Sequence, residues 1–479
     1  MKLEALLEQP APDVEVTGLC EDSRRVRAGD AFIAVKGDAH DGLAFAKDAI
    51  TRGAVAVLTE EEVSDRLSVP VINVPNLSRR RGELAARCYG EPGRAVRCVG
   101  VTGTNGKTSV SYYMASMLEA LAEPCGYMGT IGWGRTHALA DSSMTTAGAV
   151  ETQSRLAQLK AEGCRWAALE VSSHALAQKR VDAVPFEAAV FTNLSRDHLD
   201  YHGSMAEYGA AKRRLFERPG LALGVINADD GFGQTLAQDF RRRFQVLTYG
   251  RSAEADVRWE DLRFDVSGVA GTWQTPWGRY HFELPLIGEF SVANAAAAMS
   301  TLCGLGFPVE RVIDAQRKIT GVPGRMEFIS LSTGSAAVVD YAHTPDALAS
   351  VLPALRRHCR GELVCVIGCG GDRDPGKRPL MASVAEELAD VIWLTSDNPR
   401  SEDPEAIITD MRAGLTGDGC VFECVDRREA IERALACAGP DDVVLVAGKG
   451  HEAYQELLDG RVHFSDREVI EQLARLRAG

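Results

Sequence analysis

The segment that most narrows what this chain can fold into is Val96-Arg-Cys-Val-Gly-Val101, an apolar β-branched run. It is followed at once by Thr102-Gly-Thr-Asn-Gly-Lys-Thr108 and then by the helical pattern Ser109-Val-Ser-Tyr-Tyr-Met-Ala-Ser-Met-Leu-Glu119. A strand, a glycine turn, Lys-Thr and a helix, in that order, cradle the phosphates of a nucleotide. Gly103 and Gly106 let backbone N–H groups face the anion, the helix N-terminus adds its positive end, and Lys107 reaches the outer phosphates. The Thr108 hydroxyl is suited to ligate Mg²⁺. The loop is a shortened variant, because Val101 stands where the first glycine of the usual spacing belongs. Its bland counterpart is an ordinary strand-to-helix turn carrying a surface lysine.

Further short apolar runs, Ala54–Leu58, Gly224–Ile226, Glu362–Ile367 and Asp442–Val446, alternate with longer helical patterns. That alternation predicts an α/β fold with parallel sheets covered by helices. At roughly 100–200 residues per domain, 479 residues imply about three domains. Glycine and proline break the periodicity in Tyr89-Gly-Glu-Pro-Gly-Arg94 and in Gly321-Val-Pro-Gly324, so the expected domains are 1–92, 93–324 and 325–479.

Lys and Arg number 53 against 67 Asp and Glu, a net charge of −14 that repels phosphate backbones and argues against a nucleic-acid partner. With 45% hydrophobic and 25% charged residues, the chain has a globular and not a disordered composition. Glu4 and Glu8 interrupt what would have to be a signal peptide's apolar core, and no apolar run approaches the roughly 18–20 residues that span a bilayer. The expectation is a cytoplasmic protein with no membrane insertion. The 12 cysteines are scattered and read as reduced thiols; the spacings Cys365/Cys369 and Cys420/Cys424 lack the paired C-x-x-C of a zinc site.

A nucleotide's magnesium calls for carboxylates or imidazoles nearby. Glu170 ends the apolar run before Val-Ser-Ser-His174, and Asp197, His198, Asp200 and His202 crowd into six residues after Phe191. On residue types alone, His198 and His202 at i, i+4 read equally as a zinc pair or as helix-surface residues.

Taken in order, Asp22-Ser-Arg24, Gly103-Thr-Asn-Gly-Lys-Thr108, Thr145-Thr146, Glu170-Val-Ser-Ser-His174, Asn193–Gly203, Gly324-Arg-Met-Glu327, Asp340–Pro345, Gly370-Gly-Asp-Arg-Asp374, Asp397-Asn-Pro-Arg400 and Gly448-Lys-Gly-His-Glu452 resemble the Mur ligase family. Within it they are similar to the type that adds meso-diaminopimelate. The resemblance implies a small mixed N-terminal domain for a uridine nucleotide, a central P-loop-type ATPase domain with a parallel-rich sheet, and a Rossmann-like C-terminal domain for the incoming amino acid. It implies an ATP-dependent ligase of peptidoglycan precursor synthesis, acting as a monomer with Mg²⁺. ATP phosphorylates the D-glutamyl γ-carboxylate of UDP-N-acetylmuramoyl-L-alanyl-D-glutamate, and the amine of meso-diaminopimelate attacks the acyl phosphate.

The same resemblance implies residue roles. Gly103, Thr104, Asn105, Gly106, Lys107 and Thr108 take the phosphates of ATP, and Asn294, Arg325 and Asp340 the adenosine, with His343 in the same turn as Asp340. Thr108 and Glu170 are implied ligands of one Mg²⁺, His198 and a CO₂-carbamylated Lys212 of a second, while His202 is structural. Lys107, Glu170, His198 and Lys212 form the catalytic set. Asp22, Ser23, Arg24, Thr145, Thr146, Ser172, Gln178 and Arg180 contact the UDP-sugar peptide. Arg373, Asp397, Asn398, Arg400, Gly448 and Glu452 bind meso-diaminopimelate, where the Arg400 guanidinium offers two parallel N–H bonds that a lysine's point charge lacks.

Competing readings are a related amide ligase, adding L-lysine or D-alanyl-D-alanine or resembling folylpolyglutamate synthetase, and a silent nucleotide-binding regulator. Gly368-Cys-Gly-Gly371 also suggests a dinucleotide turn, but Arg373 occupies the place of the third glycine.

Overall fold

The computed structural model describes residues 1–36, 41–62, 67–417 and 419–478. The chain divides into two compact units, Met1–Ala255 with Ser300–Phe307, and Asp256–Met299 with Pro308–Gly479. The apolar runs become strands buried on both faces, as parallel strands covered by helices must be.

In the first unit, β1 (Gly18–Cys20), β2 (Asp30–Ala34), β3 (Ala56–Thr59) and β4 (Val71–Asn73) form a parallel sheet in chain order. Leu3, Leu6, Leu7, Ile33, Leu58 and Leu84 share one of its cores. A second sheet holds β5 (Arg97–Thr102), β6 (Cys125–Gly129), β7 (Gly132–Arg135), β8 (Ala138–Ala140), β9 (Trp166–Glu170), β10 (Phe186–Phe191), β11 (Leu223–Asn227) and β12 (Gln245–Tyr249). Its order is β12-β11-β10-β5-β9-β6-β7-β8, parallel from β12 to β6, with the last two strands antiparallel. The helix Lys107–Ala120 buries Val110, Met114, Met117 and Leu118, an i, i+4, i+7, i+8 stripe.

The second unit opens with an antiparallel sheet of β13 (Arg258–Asp265), β14 (Gly268–Thr275) and β15 (Gly278–Leu284). The parallel-sheet reading does not extend to this segment, where Trp259, Trp273, Phe282 and Leu284 face inward between polar neighbours, the alternation of strands with one wet face. A six-stranded sheet follows, built from β16 (Glu327–Ser330), β17 (Ala336–Asp340), β18 (Leu363–Ile367), β19 (Val391–Leu394), β20 (Cys420–Glu423) and β21 (Val443–Ala447). Its order is β16-β17-β21-β18-β19-β20, parallel except for the edge strand β16. Leu348, Leu352, Met381 and Ile407 belong to one core of this sheet and Ile431, Leu435 and Ile470 to another, the covering of a doubly wound sheet. A hairpin of β22 (Tyr454–Leu457) and β23 (Gly460–His463) follows β21.

The α/β architecture with parallel-rich sheets is therefore the one expected. Among the described residues no helix is long and apolar enough to cross a membrane. None of the 12 cysteines forms a disulfide.

Candidate active site

In the first unit, β9, β5 and β10 lie side by side, Val101 paired with Glu170 and Thr102 with Phe191. Their carboxyl ends therefore converge, which is where open α/β sheets bind ligands. The glycine loop leaves β5, Glu170 ends β9, and Thr192-Asn193 follow β10. Backbone N–H groups of Thr104 and Asn105 donate to the carbonyl and side-chain oxygens of Asn193, at 2.8 and 2.9 Å. Gly103 has φ +154°, and a Cβ there would fall 1.8 Å from Thr192 Oγ1. Gly106 precedes the helix at φ +84°, and Lys107 Nζ donates to the carbonyls of Gly103 and Thr104 at 3.0 and 2.8 Å.

The Glu170 carboxylate is buried and fully hydrogen-bonded. Thr108 Oγ1 donates to Oε2 at 3.0 Å, Thr130 donates through N–H to Oε1 at 2.9 Å and through Oγ1 to Oε2 at 3.1 Å, and the Tyr127 hydroxyl donates to Oε1. Burying a charge demands such partners. Thr108 and Glu170 thus offer one hydroxyl and one carboxylate at contact distance, leaving the remaining ligands to phosphate oxygens and water, the donor set that Mg²⁺ accepts. The residues fit that ion.

Lys212 is 1% exposed on the helix Met205–Arg213. Its Nζ donates to the Gly103 carbonyl at 2.7 Å and lies 4.2 Å from the centre of the Tyr208 ring. Burial, and secondarily the Lys107 cation on the same carbonyl, lower its pKa to about 6. A neutral amine is what CO₂ attack requires, so this site suits carbamylation. Beside it, His174 packs against His198 at 4.8 Å, Tyr201 at 4.2 Å and His202 at 5.4 Å between ring centres. Tyr208 touches the rings of both His198 and His202. His198 has its imidazole half exposed, whereas His202 Nε2 is tied to Ser173 Oγ at 2.9 Å. Among the described residues no three His, Cys, Asp or Glu are grouped to hold a metal by themselves, so the zinc-pair reading of His198 and His202 gains no third ligand.

Thr146, Ser172, Gln178 and Arg180 form one network around the end of β9. Thr146 Oγ1 donates to the Glu170 carbonyl at 2.8 Å and accepts from Ser172 N at 3.0 Å. Arg180 donates to the Thr146 carbonyl at 3.0 Å and to Gln178 Oε1 at 2.9 Å. Thr145 Oγ1 lies within hydrogen-bond distance of Thr130 Oγ1, at 3.1 Å. Asp22 caps the short helix Ser23–Arg25 and holds the exposed Arg24 by a bidentate pair at 2.9 and 2.8 Å, while Ser23 is buried. The structure does not join these three to the Thr146 network by any direct hydrogen bond among the described residues.

The remaining candidates belong to the second unit and sit at the carboxyl ends of four adjacent strands: Asp340 on β17, Gly448 after β21, the Gly368 turn after β18, and Asp397 after β19. Asp340 accepts from Met326 N at 2.7 Å and Ala342 N at 2.8 Å, fixing the turn that presents exposed Arg325. Burial pushes its pKa up. Asn294 is half-buried on the helix Glu289–Gly304, and His343 Nδ1 faces the Tyr341 carbonyl at 2.8 Å.

Asn398 Nδ2 donates to Glu452 Oε2 at 2.9 Å. Gly448, at φ +117°, leaves space that a Cβ would take from Asp397 Oδ2 at 2.6 Å. Burial raises the Asp397 pKa against the pull of Arg427 and Lys449. Arg400 departs from the simple picture of an open fork: Nε donates to Glu456 Oε2 at 2.9 Å and Nη1 to the Gly371 carbonyl at 2.7 Å. The guanidinium is therefore oriented before any substrate arrives. Arg373 is exposed and bonds only its neighbour's carbonyl, Asp372 O, at 3.3 Å among the described residues.

Three family models match, the Mur ligase family catalytic domain over residues 15–89, the Mur ligase middle domain over 101–302, and the Mur ligase glutamate ligase domain over 324–450. The chain belongs to the Mur ligase family. Members of this family are ATP-dependent amide ligases, and this chain is accordingly an ATP-dependent acid–amino-acid ligase. The UDP-N-acetylmuramoyl-L-alanyl-D-glutamate–2,6-diaminopimelate ligase of Ectopseudomonas mendocina is 47% identical, over 100% of this chain and 99% of its own length. The enzyme of the same name from Pseudomonas aeruginosa is 47% identical over 98% of each chain. A solved structure of a ligase of that name is similar with a TM-score of 0.78 at 36% identity, covering 100% of this chain and 99% of the other.

The residues of this Mur ligase that local patterns do not announce are those holding others in place. Tyr127 and Thr130 reach Glu170 from 43 and 40 positions away. Glu456 orients Arg400 from 56 positions away. Only Lys449 lay inside a recognisable string, Gly448-Lys-Gly-His-Glu452, without a role attached.

Proposed function

We propose that this chain joins meso-diaminopimelate to UDP-N-acetylmuramoyl-L-alanyl-D-glutamate in the cytoplasm, as a monomer, using ATP and Mg²⁺ and releasing ADP and phosphate. The observation that carries this reading is the full-length similarity to relatives named for that reaction. The domain division 1–92, 93–324 and 325–479 goes with it, supported by breaks that fall between separate sheets.

Two anions, the γ-phosphate and the D-glutamyl carboxylate, approach each other in the first step, so the protein must offset their charge. Gly103–Gly106 hold the phosphates through backbone N–H groups, and Lys107 leaves its two carbonyl partners for the outer phosphates. Thr108 and Glu170 would hold one Mg²⁺, and His198 with the carbamate of Lys212 a second; bound there, magnesium would neutralise charge developing on the phosphoryl oxygens. Tyr127 and Thr130 keep the Glu170 carboxylate aimed. Asn294, Arg325 and Asp340 receive the adenosine, with His343 beside them. Thr145, Thr146, Ser172, Gln178 and Arg180 receive the sugar and peptide, and Asp22, Ser23 and Arg24 the uridine. The distal carboxylate of meso-diaminopimelate pairs with Arg400 and accepts from Asn398 Nδ2, and its ammonium pairs with Glu452, with Asp397, Gly448 and Arg373 completing the pocket. The other amine attacks the acyl phosphate carbonyl, forming the amide as phosphate leaves.

The test is phosphate release by the purified enzyme with ATP, Mg²⁺ and the UDP-sugar dipeptide, varying only the amino acid. Turnover should require meso-diaminopimelate, and L-lysine or D-alanyl-D-alanine should give little. A preference for either of these would overturn the reading, as would ATP consumption that ignores the acceptor.

A further inference from the structure

Lys449 has no exposed surface, yet its ammonium faces three members of the proposed amino-acid pocket. Nζ donates to Asn398 Oδ1 at 3.0 Å and to Glu452 Oε2 at 3.3 Å, and lies 3.7 Å from Asp397 Oδ1. Asn398 Oδ1 also accepts from Glu456 N at 2.9 Å. The hydrogen-bond partners of an asparagine amide decide which way its oxygen and nitrogen point. Lys449 and Glu456 N together force the oxygen inward, which leaves Nδ2 for Glu452. The backbones of the two loops are fastened separately, since the fully buried Arg427 donates to the Ala447 carbonyl at 2.9 Å and the Ser396 carbonyl at 3.4 Å while paired to Asp466. What depends on Lys449 is therefore the setting of side chains, not the course of the chain.

The charges point the same way. Asp397 and Glu452 contribute two negative charges and Lys449 and Arg373 two positive, while Arg400 with Glu456 and Arg427 with Asp466 are each neutral as pairs. No net charge remains. The distal end of meso-diaminopimelate carries an ammonium and a carboxylate, neutral together, whereas that of L-lysine is a lone ammonium. Without Lys449 the pocket would hold one net negative charge, which favours the lone cation and repels the carboxylate.

We infer that Lys449 is a positioning and specificity-determining residue of the amino-acid pocket, fixing Asn398 and Glu452 and setting the charge that favours a zwitterionic end over a cationic one. The inference rests on the pocket assigned above. It is tested by steady-state kinetics of the full-length enzyme carrying Lys449→Gln or Lys449→Arg, with meso-diaminopimelate and L-lysine offered in turn. The glutamine variant should raise KM for meso-diaminopimelate about tenfold or more, and lower the ratio of kcat/KM for meso-diaminopimelate over L-lysine by a similar factor. KM for the UDP-sugar dipeptide, whose proposed contacts belong to the first unit, should not move. The arginine variant keeps the charge and should keep the ratio even where KM rises.

A glutamine variant with the parent's KM and ratio would overturn the inference, as would one in which every KM rises together. If the glutamine variant does not fold, loss of the ratio in the arginine variant overturns it, and retention supports it. A parent enzyme inactive with meso-diaminopimelate would instead remove the pocket assignment, and Lys449 with it.

Discussion

Lys212 shows most directly how a single buried group ties stability to chemistry. Its folded pKa, about 6, lies below the ordinary lysine value of 10.5. Between those values the unfolded chain binds a proton that the folded chain does not, so stability rises with pH across the window and is lowest below it. In CO₂-free buffer Lys212→Met should therefore melt higher than the parent near neutrality, by the equivalent of about 2 kcal/mol or more, with the gap closing as pH rises. A gap independent of pH would assign the effect to packing instead. The same substitution should abolish turnover, and in Lys212→Ala bicarbonate or a short carboxylate should restore part of it in a phosphate-release assay. Lys212 was legible as a candidate only through the family strings. The pattern Glu207–Phe216 alone describes a wet helix face, whereas in the fold the amine is buried against a carbonyl 109 positions away.

At the scale of elements, the phosphate loop was readable because its chemistry is local: strand, two glycines, Lys-Thr and helix are contiguous. What the loop leans on was not, because Thr192 and Asn193 arrive from β10. Gly103→Ala should make this visible, since its methyl would overlap Thr192 Oγ1. We expect a loss of roughly 2–4 kcal/mol in stability, with nucleotide binding by titration calorimetry falling below detection. Tyr127→Phe removes one donor from Glu170 and leaves Thr108 and Thr130 in place. The expected result is a rise in the Mg²⁺ concentration needed for half-maximal rate, with the melting temperature lowered by the equivalent of about 1–2 kcal/mol. An unchanged magnesium requirement would detach Tyr127 from the site.

Across the whole molecule, the class of fold followed from the spacing of β-branched runs, whereas the antiparallel sheet of β13–β15 and the buried ion pairs did not. Arg427 and Asp466 are 39 positions apart and both fully buried, and no local pattern marks either as anything but a surface charge. Breaking a buried pair strands the remaining ion, so Arg427→Met should destabilise the second unit by about 3–5 kcal/mol, and adding Asp466→Leu should recover most of it. Proteolysis of the second unit in urea would report both, and a double variant as weak as the single would show that the pair's geometry matters more than its charge.

Two side chains assigned to ligands, His198 and Arg400, hang from backbone at φ +52°, a left-handed shape that non-glycine residues adopt at a cost of roughly 1 kcal/mol each. Glycine would relax either position. Directed evolution for heat tolerance alone should therefore drift toward His198→Gly and yield a sturdier, inert protein unless every round also screens for turnover, whereas Arg400 should be kept by its bonds to Glu456 and Gly371.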